Sequence, residues 1–498
     1  MKPSLNRDSY LLPLIVGMVS MVSLVIGMRL QESLVRDGYI STSTETGDQL
    51  SAIYEAAEHI SAKFYGESID SSFTDEAIEH MVDQLDPYSH YFKPEQDAKY
   101  EKYINGLYAG IGIEFIEYKD TIYCYDVVEG SPAHEAGIEV GDVIIQLDTL
   151  EFSKGLSNLD SLINYLRYHD RSMEVLVSTQ DNGKERRVQL TPDDIRLKLV
   201  DDYVLNQDSM AVSYVKIHRF YKSVYQDLMQ ALEKHKDASG SAPRHMIIDV
   251  RDNPGGIVEE TVKILNQFFH QKDQKLLETK SRNSLSQEYK SNGRKFLDID
   301  RVVVLCNENS ASASEILAGV LQDHNKAIII GSPTYGKGLI QQNYDLSNRG
   351  SINLSIGEYI LPSGRSIYKN SVDSTFLSVD GKRTLPGASK GIGVDISVQS
   401  CEPSSTDRIE VKKLIAAQKA WSLDERRSLF TSSDPIANLV RHDTLCQDQY
   451  IKRLKWQVLD KVIEAGATIQ STDVDLHIQT ALQVLLEPDF ERLFAEVL

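Results

Sequence analysis

The run Asn309-Ser310-Ala311-Ser312-Ala313-Ser314-Glu315 stands between an apolar stretch, RVVVLC (301–306), and a helical pattern, ASEILAGVLQDH (313–324). A serine at a helix start faces free backbone N–H groups and the positive end of the helix dipole. Both favour an oxyanion forming beside it. The spacing Ser312-x-x-Glu315 is equally that of a capping box, in which Ser312 does no more than satisfy the helix end. Ser312 is therefore a candidate nucleophile with a plain structural rival. A serine hydroxyl needs a base, and Thr334-Tyr335-Gly336-Lys337-Gly338 offers a lysine. An ordinary lysine keeps its proton to about pH 10.4 and must drop by roughly 3 units to act near neutrality, a shift that apolar burial supplies. Gln341 falls on the same face as Lys337 in a helix or a strand, and it can hold the amine without adding a negative charge that would keep it protonated. The plain reading of Lys337 is an exposed lysine in a glycine turn. A sharper rival is a phosphate-binding loop, because Gly331 to Lys337 has the G-x4-G-K spacing. However, Gly338 stands where that loop needs Ser or Thr, and GLIQQNYDL does not read as the helix that should follow. The segment DVRDNPGG (249–256) follows the apolar run HMIID; Gly255 or Gly256, together with Ala313, can supply backbone N–H groups to an oxyanion. Its plain reading is a strand-to-helix turn.

A different chemistry is offered near residue 110. The loop Gly110-Ile111-Gly112-Ile113 enters a β-type run, and a glycine loop of this kind leaves N–H groups pointing outward, a nest for a carboxylate. The adjoining strand edge can pair with an extended peptide tail. The plain reading is a β-rich domain whose glycines only make turns.

These groups need elements to hold them. Residues 47–66 and 74–85 carry apolar side chains at helical spacing, with a helix start at Thr74 and a stop at Asp86-Pro87. From Gly106 the pattern turns to short alternating strands, including 143–147, 173–178 and 185–190, with a helix over 158–168. After Pro192 strands and helices alternate, which predicts an α/β core with largely parallel strands. Residues 403–498 return to helical patterns, such as 408–421 and 448–464, whose role the sequence leaves open.

At 498 residues the chain is too long for one core, so an α/β and α+β multidomain protein is expected. Its net charge of −20 repels phosphate backbones and argues against nucleic acid as a partner. Cys124, Cys306, Cys401 and Cys446 form no CxxC pair, so neither a metal site nor a disulfide framework is expected, one or two isolated disulfides staying open, and a Ser/Lys chemistry needs no cofactor. Ser9 to Met28 is an uncharged stretch of 20 residues, long enough to cross a bilayer as a helix. Lys2 and Arg7 precede it, which puts the first residues in the cytoplasm and the remainder outside. A cleaved signal peptide is the rival reading, without a clear cleavage site in its favour.

The segments taken together resemble the C-terminal processing peptidases, the tail-specific Ser/Lys proteases. The resemblance runs from about residue 50 to 400 through LDPYSHYF (85–92), GIGI (110–113), EGSPAHEAGIEVGDVI (129–144), VKIHRF (215–220), DVRDNPGG (249–256), SASASE (310–315), QDH (322–324), TYGKG (334–338) and PSGRSIY (362–368). It implies Ser312 as nucleophile, Lys337 as general base and Gln341 beside it. It also implies a PDZ-type domain, carrying the 110–113 and 129–144 motifs, that gates the site by moving, and substrates that are proteins with accessible apolar C-termini. The implied order is a cytoplasmic tip and membrane anchor (1–29), a helical segment (30–100), a PDZ domain (101–192), a spiral crotonase- or ClpP-like α/β protease core (193–402) and a C-terminal helical region (403–498). The expected location is the cytoplasmic membrane, with the catalytic part on the periplasmic or extracytoplasmic side. A homo-oligomer or an activating adaptor is compatible with this reading. One departure is Val394 before Asp395, where the family usually has Pro. The alternative from another class is a catalytically silent PDZ scaffold. A third reading, an acyl-CoA-type enzyme with a related spiral core, explains neither the PDZ segment nor the Ser/Lys pair.

Overall fold

The structure is a computed structural model that describes residues 44–66, 71–118, 121–152, 162, 165–166, 171–179, 184–207, 210–239, 243–282, 286–295, 298–347, 350–368, 376–380, 384–385, 391–398, 476–487 and 490. The described residues form two compact units. The first takes in residues up to 93 together with 280–286 and 343–355, and the second takes in the others.

In the first unit, α1 (Thr44–Lys63) and α2 (Ser71–Asp83) lead to a short strand, β1 (His90–Phe92). α2 begins at Ser71, about one turn before Thr74. The Asp86-Pro87 stop has a visible cause. The Asp86 carboxylate accepts from Tyr88 N–H (2.8 Å), Ser89 N–H (3.0 Å) and Ser89 Oγ (2.8 Å), which closes the turn into β1. β1 pairs antiparallel with residues 351–353, and Ser355 N–H donates to Ser89 Oγ.

The second unit opens with α3 (Pro94–Ile104) and β2 (Leu107–Gly110). A β-rich domain follows, of β3 (Ile113–Tyr118), β4 (Thr121–Val127), a one-turn helix α4 (Pro132–Glu135), β5 (Val143–Leu147), β6 (Leu150–Glu151), β7 (Met173–Ser178) and β8 (Glu185–Leu190). The sheet order is β3-β4-β5-β7-β8 with antiparallel pairing, so β3 is an edge strand. In β7, Met173, Val175 and Val177 alternate into the core, the period expected of a half-buried strand. Within the expected 158–168 helix, Leu162, Tyr165 and Leu166 are helical and the other residues lie outside the described residues. The chain leaves this domain through β9 (Asp193–Arg196), which pairs with β2, so one two-stranded ribbon holds both ends of the domain.

The α/β core comprises β10 (Val200–Gln207), β11 (Met210–Ile217), α5 (Val224–Ser239), β12 (His245–Asp249), α6 (Val258–Leu265), the β13 (Lys272–Ser281) and β14 (Glu288–Asn292) pair, β15 (Arg301–Cys306), α7 (Ala313–Asp323), β16 (Ile328–Gly331), the paired β17 (Leu339–Asp345) and β18 (Ser351–Ile360), and β19 (Ile396–Ser397). The main sheet runs β10-β11-β12-β15-β16-β19, parallel from β11 onward. Its continuous apolar runs follow from burial on both faces. On β15, Val302, Val304 and Cys306 face one core and Val303 and Leu305 the other. The second face is covered by α8 (Leu476–Leu486), whose Ile478, Ala481, Leu482 and Leu485 are buried against it. The described part of the C-terminal region therefore completes the core, a role the sequence leaves open. The expected helices at 408–421 and 448–464 lie outside the described residues.

Among the described residues no helix is long and apolar enough to cross a membrane. The Ser9 to Met28 stretch lies outside them, and the anchor expected there gains no support.

Candidate active site

β15 ends at Cys306, and the chain turns through 307–311 into α7, every residue of which is buried. The turn is laced to the strand beside it. Ser310 Oγ donates to Val250 O (2.8 Å), Ala311 N–H to Asn253 O (3.0 Å) and Ser314 Oγ to Asn253 O (2.8 Å). Two of the three serines in the run are thus fully buried and spent on backbone carbonyls, while Ser312 between them is half-buried. Ser312 sits at φ +55°, ψ −115°, a conformation a β-carbon resists, and it persists because the turn is over-determined by these bonds. A strained strand-to-helix turn of this type pushes a side chain out of the sheet's end, where a substrate can reach it.

The 249–256 segment forms the other wall. Asp249 and Arg251 form a buried ion pair, with the guanidinium Nε 2.9 and 3.0 Å from the two carboxylate oxygens and Tyr214 Oη donating to Oδ2 at 2.8 Å. Burial pushes the Asp249 carboxyl up, but the Arg251 guanidinium outweighs it and holds the carboxyl well below the usual range. Above the pair, Asp252 takes φ +62° and exchanges hydrogen bonds with the side chain of Asn307 (both 2.9 Å). Gly255 has φ +103°, and a β-carbon on it would come within 2.7 Å of Ala311 O, 2.8 Å of Ser312 Cβ and 2.9 Å of Ala313 N, so only glycine permits this approach. The Gly255 N–H is given to Asn253 Oδ1 (2.9 Å). The N–H groups of Gly256 and Ala313 have no acceptor among the described residues.

The third wall is the 334–338 loop. Tyr335 N–H donates to Ser310 O (3.0 Å), which docks the loop on the serine turn. Lys337 is half-buried and its Nζ donates to Gln341 Oε1 at 2.8 Å, Gln341 lying on β17. A β-carbon on Gly338 would meet Tyr368 N at 2.4 Å, so the PSGRSIY segment presses directly on the loop. The phosphate-loop reading fails here, because the chain after Gly338 is strand β17 and gives no helix N-terminus to a phosphate.

Glu315 joins these walls, and sequence reading missed it. The capping-box spacing accounts for its bond from Ser312 N–H (2.8 Å) and for none of the others. Thr334 Oγ1 (2.6 Å), Gly336 N–H (2.7 Å) and Lys337 N–H (2.8 Å) also donate to it. Burial pushes its carboxyl above the ordinary value, against the pull of those four donors. At the far end of α7, Gln322 bonds Gly393 O and Asp395, and Asp323 pairs with the buried Arg365. Asp395 in turn accepts from Ile329 N–H (2.7 Å), so Val394 in place of Pro leaves this anchorage intact.

Of the sequence-predicted residues, Ser312, Ala313, Gly255, Gly256, Lys337 and Gln341 gather around this site. Gly110 to Ile113 belong to the β-rich domain. Gly110 lies in the β2–β9 ribbon opposite Asp193. Ile111 O accepts from Ala133 N–H and Gly112 O from Val128 N–H, while the N–H groups of Ile111 and Gly112 have no acceptor among the described residues. Gly112 has φ +81°, and Ile113 opens the edge strand β3.

Residues 211–377 match the family model for peptidase family S41, and residues 109–191 match that for the PDZ domain. Over 211–377 the chain is thus similar to peptidase family S41, and the segment ahead of it is similar to the PDZ domain. Among individual proteins it is similar to a probable CtpA-like serine protease of Staphylococcus aureus strain N315, 30% identical over 322 residues, 64% of this chain and 62% of that one. A probable CtpA-like serine protease of Staphylococcus epidermidis is 28% identical over 307 residues, 61% of this chain and 60% of that one. The chain therefore spans less than two thirds of the length of these relatives. Among solved structures, the photosystem II D1 C-terminal processing protease aligns with 74% of this chain and 92% of its own, at 23% identity and a TM-score of 0.40.

Proposed function

We propose that the protein is a serine endopeptidase that captures protein C-terminal tails on its PDZ domain and cleaves peptide bonds with a Ser312–Lys337 dyad. The observation that carries this reading is the junction of the Ser312 turn with the 334–338 loop, where Lys337 Nζ rests on Gln341. Neutral Lys337 takes the proton from Ser312 Oγ as the oxygen attacks the scissile carbonyl. The N–H groups of Ala313 and Gly256 stabilise the oxyanion; Gly255, the other donor expected from this turn, has its N–H spent on Asn253 Oδ1. The ammonium of Lys337 then protonates the leaving amine, and the lysine, neutral again, activates the water that hydrolyses the acyl-enzyme. An extended apolar tail adds to the open edge of β3, its carboxylate on the amides of the 110–113 loop. In this reading Ser9 to Met28 anchors the chain in the cytoplasmic membrane and the catalytic part lies on the extracytoplasmic side.

The test is cleavage of an unfolded reporter with an apolar C-terminal tail by wild type, Ser312→Ala and Lys337→Ala, each checked for folding by circular dichroism. The reading expects rates to fall by at least about a thousandfold in both variants, the scale of losing a nucleophile or its base. Cleavage by the variants at the wild-type rate contradicts the site. Tail binding by wild type without cleavage returns the scaffold reading. For the anchor, the full chain is expected in the membrane fraction and resistant to carbonate extraction; recovery in the soluble fraction contradicts it.

A further inference from the structure

Glu315 is fully buried on the first turn of α7, and its two carboxylate oxygens meet four donors. Oε2 accepts from the N–H groups of Ser312 and Lys337, both at 2.8 Å. Oε1 accepts from Thr334 Oγ1 at 2.6 Å and Gly336 N–H at 2.7 Å. Thr334 Oγ1 itself accepts from Ile392 N–H at 2.6 Å. A helix cap requires the first of these bonds alone. The other three tie the loop that carries the candidate base to the turn that carries the candidate nucleophile, and one oxygen holds the backbone of both residues. Three of the donors are backbone N–H groups, which cannot reverse their polarity. An ionised carboxylate suits all four donors, whereas an amide in its place would set an N–H against at least one backbone N–H.

We propose that Glu315 is a positioning residue that fixes the Ser312 turn and the Lys337 loop in register, so that the serine hydroxyl and the lysine amine meet. This rests on the dyad reading above. It explains how a serine at φ +55° is kept there: the bond from its own N–H is made to a side chain that the neighbouring loop also pins. It also gives Thr334 a task, as the link that passes the position of Ile392 to the carboxylate.

The experiment compares the full chain with Glu315→Gln and Glu315→Asp. A displacement of the reacting atoms by about 1 Å is enough to cost on the order of a hundredfold in rate. Glu315→Gln is therefore expected to lower kcat about a hundredfold with KM within about threefold. Glu315→Asp, which keeps the charge on a shorter arm, recovers part of kcat. Hydrogen exchange read on peptides spanning 308–316 and 332–340 gives a test that needs no turnover. Both peptides are expected to exchange faster in Glu315→Gln while peptides from 317–323 keep wild-type protection. Unchanged exchange at both peptides together with kcat near wild type overturns the proposal. So does loss of protection along the whole of α7, which makes Glu315 a support of the fold. If the two peptides respond as expected but wild type has no peptidase activity, the clamp stands and the dyad reading falls.

Discussion

Ser310, Ser312 and Ser314 look alike in the sequence, where alternation with alanine gives no reason to choose among them. Packing separates them: the outer two are buried on the carbonyls of Val250 and Asn253, and the middle one is half-buried beside Gly255. The start of a helix makes Ser312 a candidate in the sequence, and the resemblance, not the spacing, sets it above its capping rival. Glu315 was illegible for the opposite reason, since a familiar local pattern accounted for it and hid three partners that are 19 to 22 residues away. The glycines of DVRDNPGG were readable as donors, but not which N–H is spent on Asn253. Gly255→Ala introduces a β-carbon within 2.9 Å of three atoms of the serine turn and at φ +103°. A non-glycine residue in such backbone costs about 1–3 kcal/mol. Urea unfolding is expected to show a loss of that size or more, and reporter cleavage is expected to be lost with it. Wild-type stability and rate in this variant would contradict the described turn.

Strands were legible where one face or two are buried. The alternation in 173–178 and the apolar run in 301–306 match β7 and β15, because each period reports which faces are covered. The C-terminal region was not legible, since a helix that caps a sheet shows an apolar stripe without naming the sheet. Here Tyr214, Ile247, Val303 and Leu305 present a bare face that α8 covers. Leu482→Ala removes a buried side chain from that contact and is expected to cost about 2–5 kcal/mol. Thermal or urea unfolding measures this. At a temperature where the variant stays folded its rate is expected to match wild type, because α8 touches the sheet face opposite α7. An unchanged unfolding midpoint would place α8 off the core.

The ion pair of Asp249 and Arg251 bears on the stability of the whole molecule, lying at the centre of the parallel sheet and beneath the site. The pair holds the Asp249 carboxyl below its ordinary value of 3.8, so its contribution is present above that pH and is lost as pH falls below it toward the lowered value. Asp201, bonded to His218 and Lys198, is lowered too and acts in the same direction. Arg251→Met leaves Asp249 charged and buried without its guanidinium, which costs about 3–5 kcal/mol at neutral pH. In this variant the deficit relative to wild type is expected to shrink as pH is lowered, because Asp249 then takes up a proton. Urea unfolding at pH 7.5 and pH 5 checks this, and a deficit independent of pH would mean that the loss is one of packing.

A Ser312–Lys337 dyad passes through a covalent acyl-enzyme, and that intermediate can be sought directly. Wild-type protein mixed with an apolar-tailed peptide substrate and quenched in acid would be digested and mapped by mass spectrometry. An acyl group is expected on Ser312, absent from Ser312→Ala and from Lys337→Ala. An acyl group on any other residue, or substrate turnover by Ser312→Ala, would contradict the dyad.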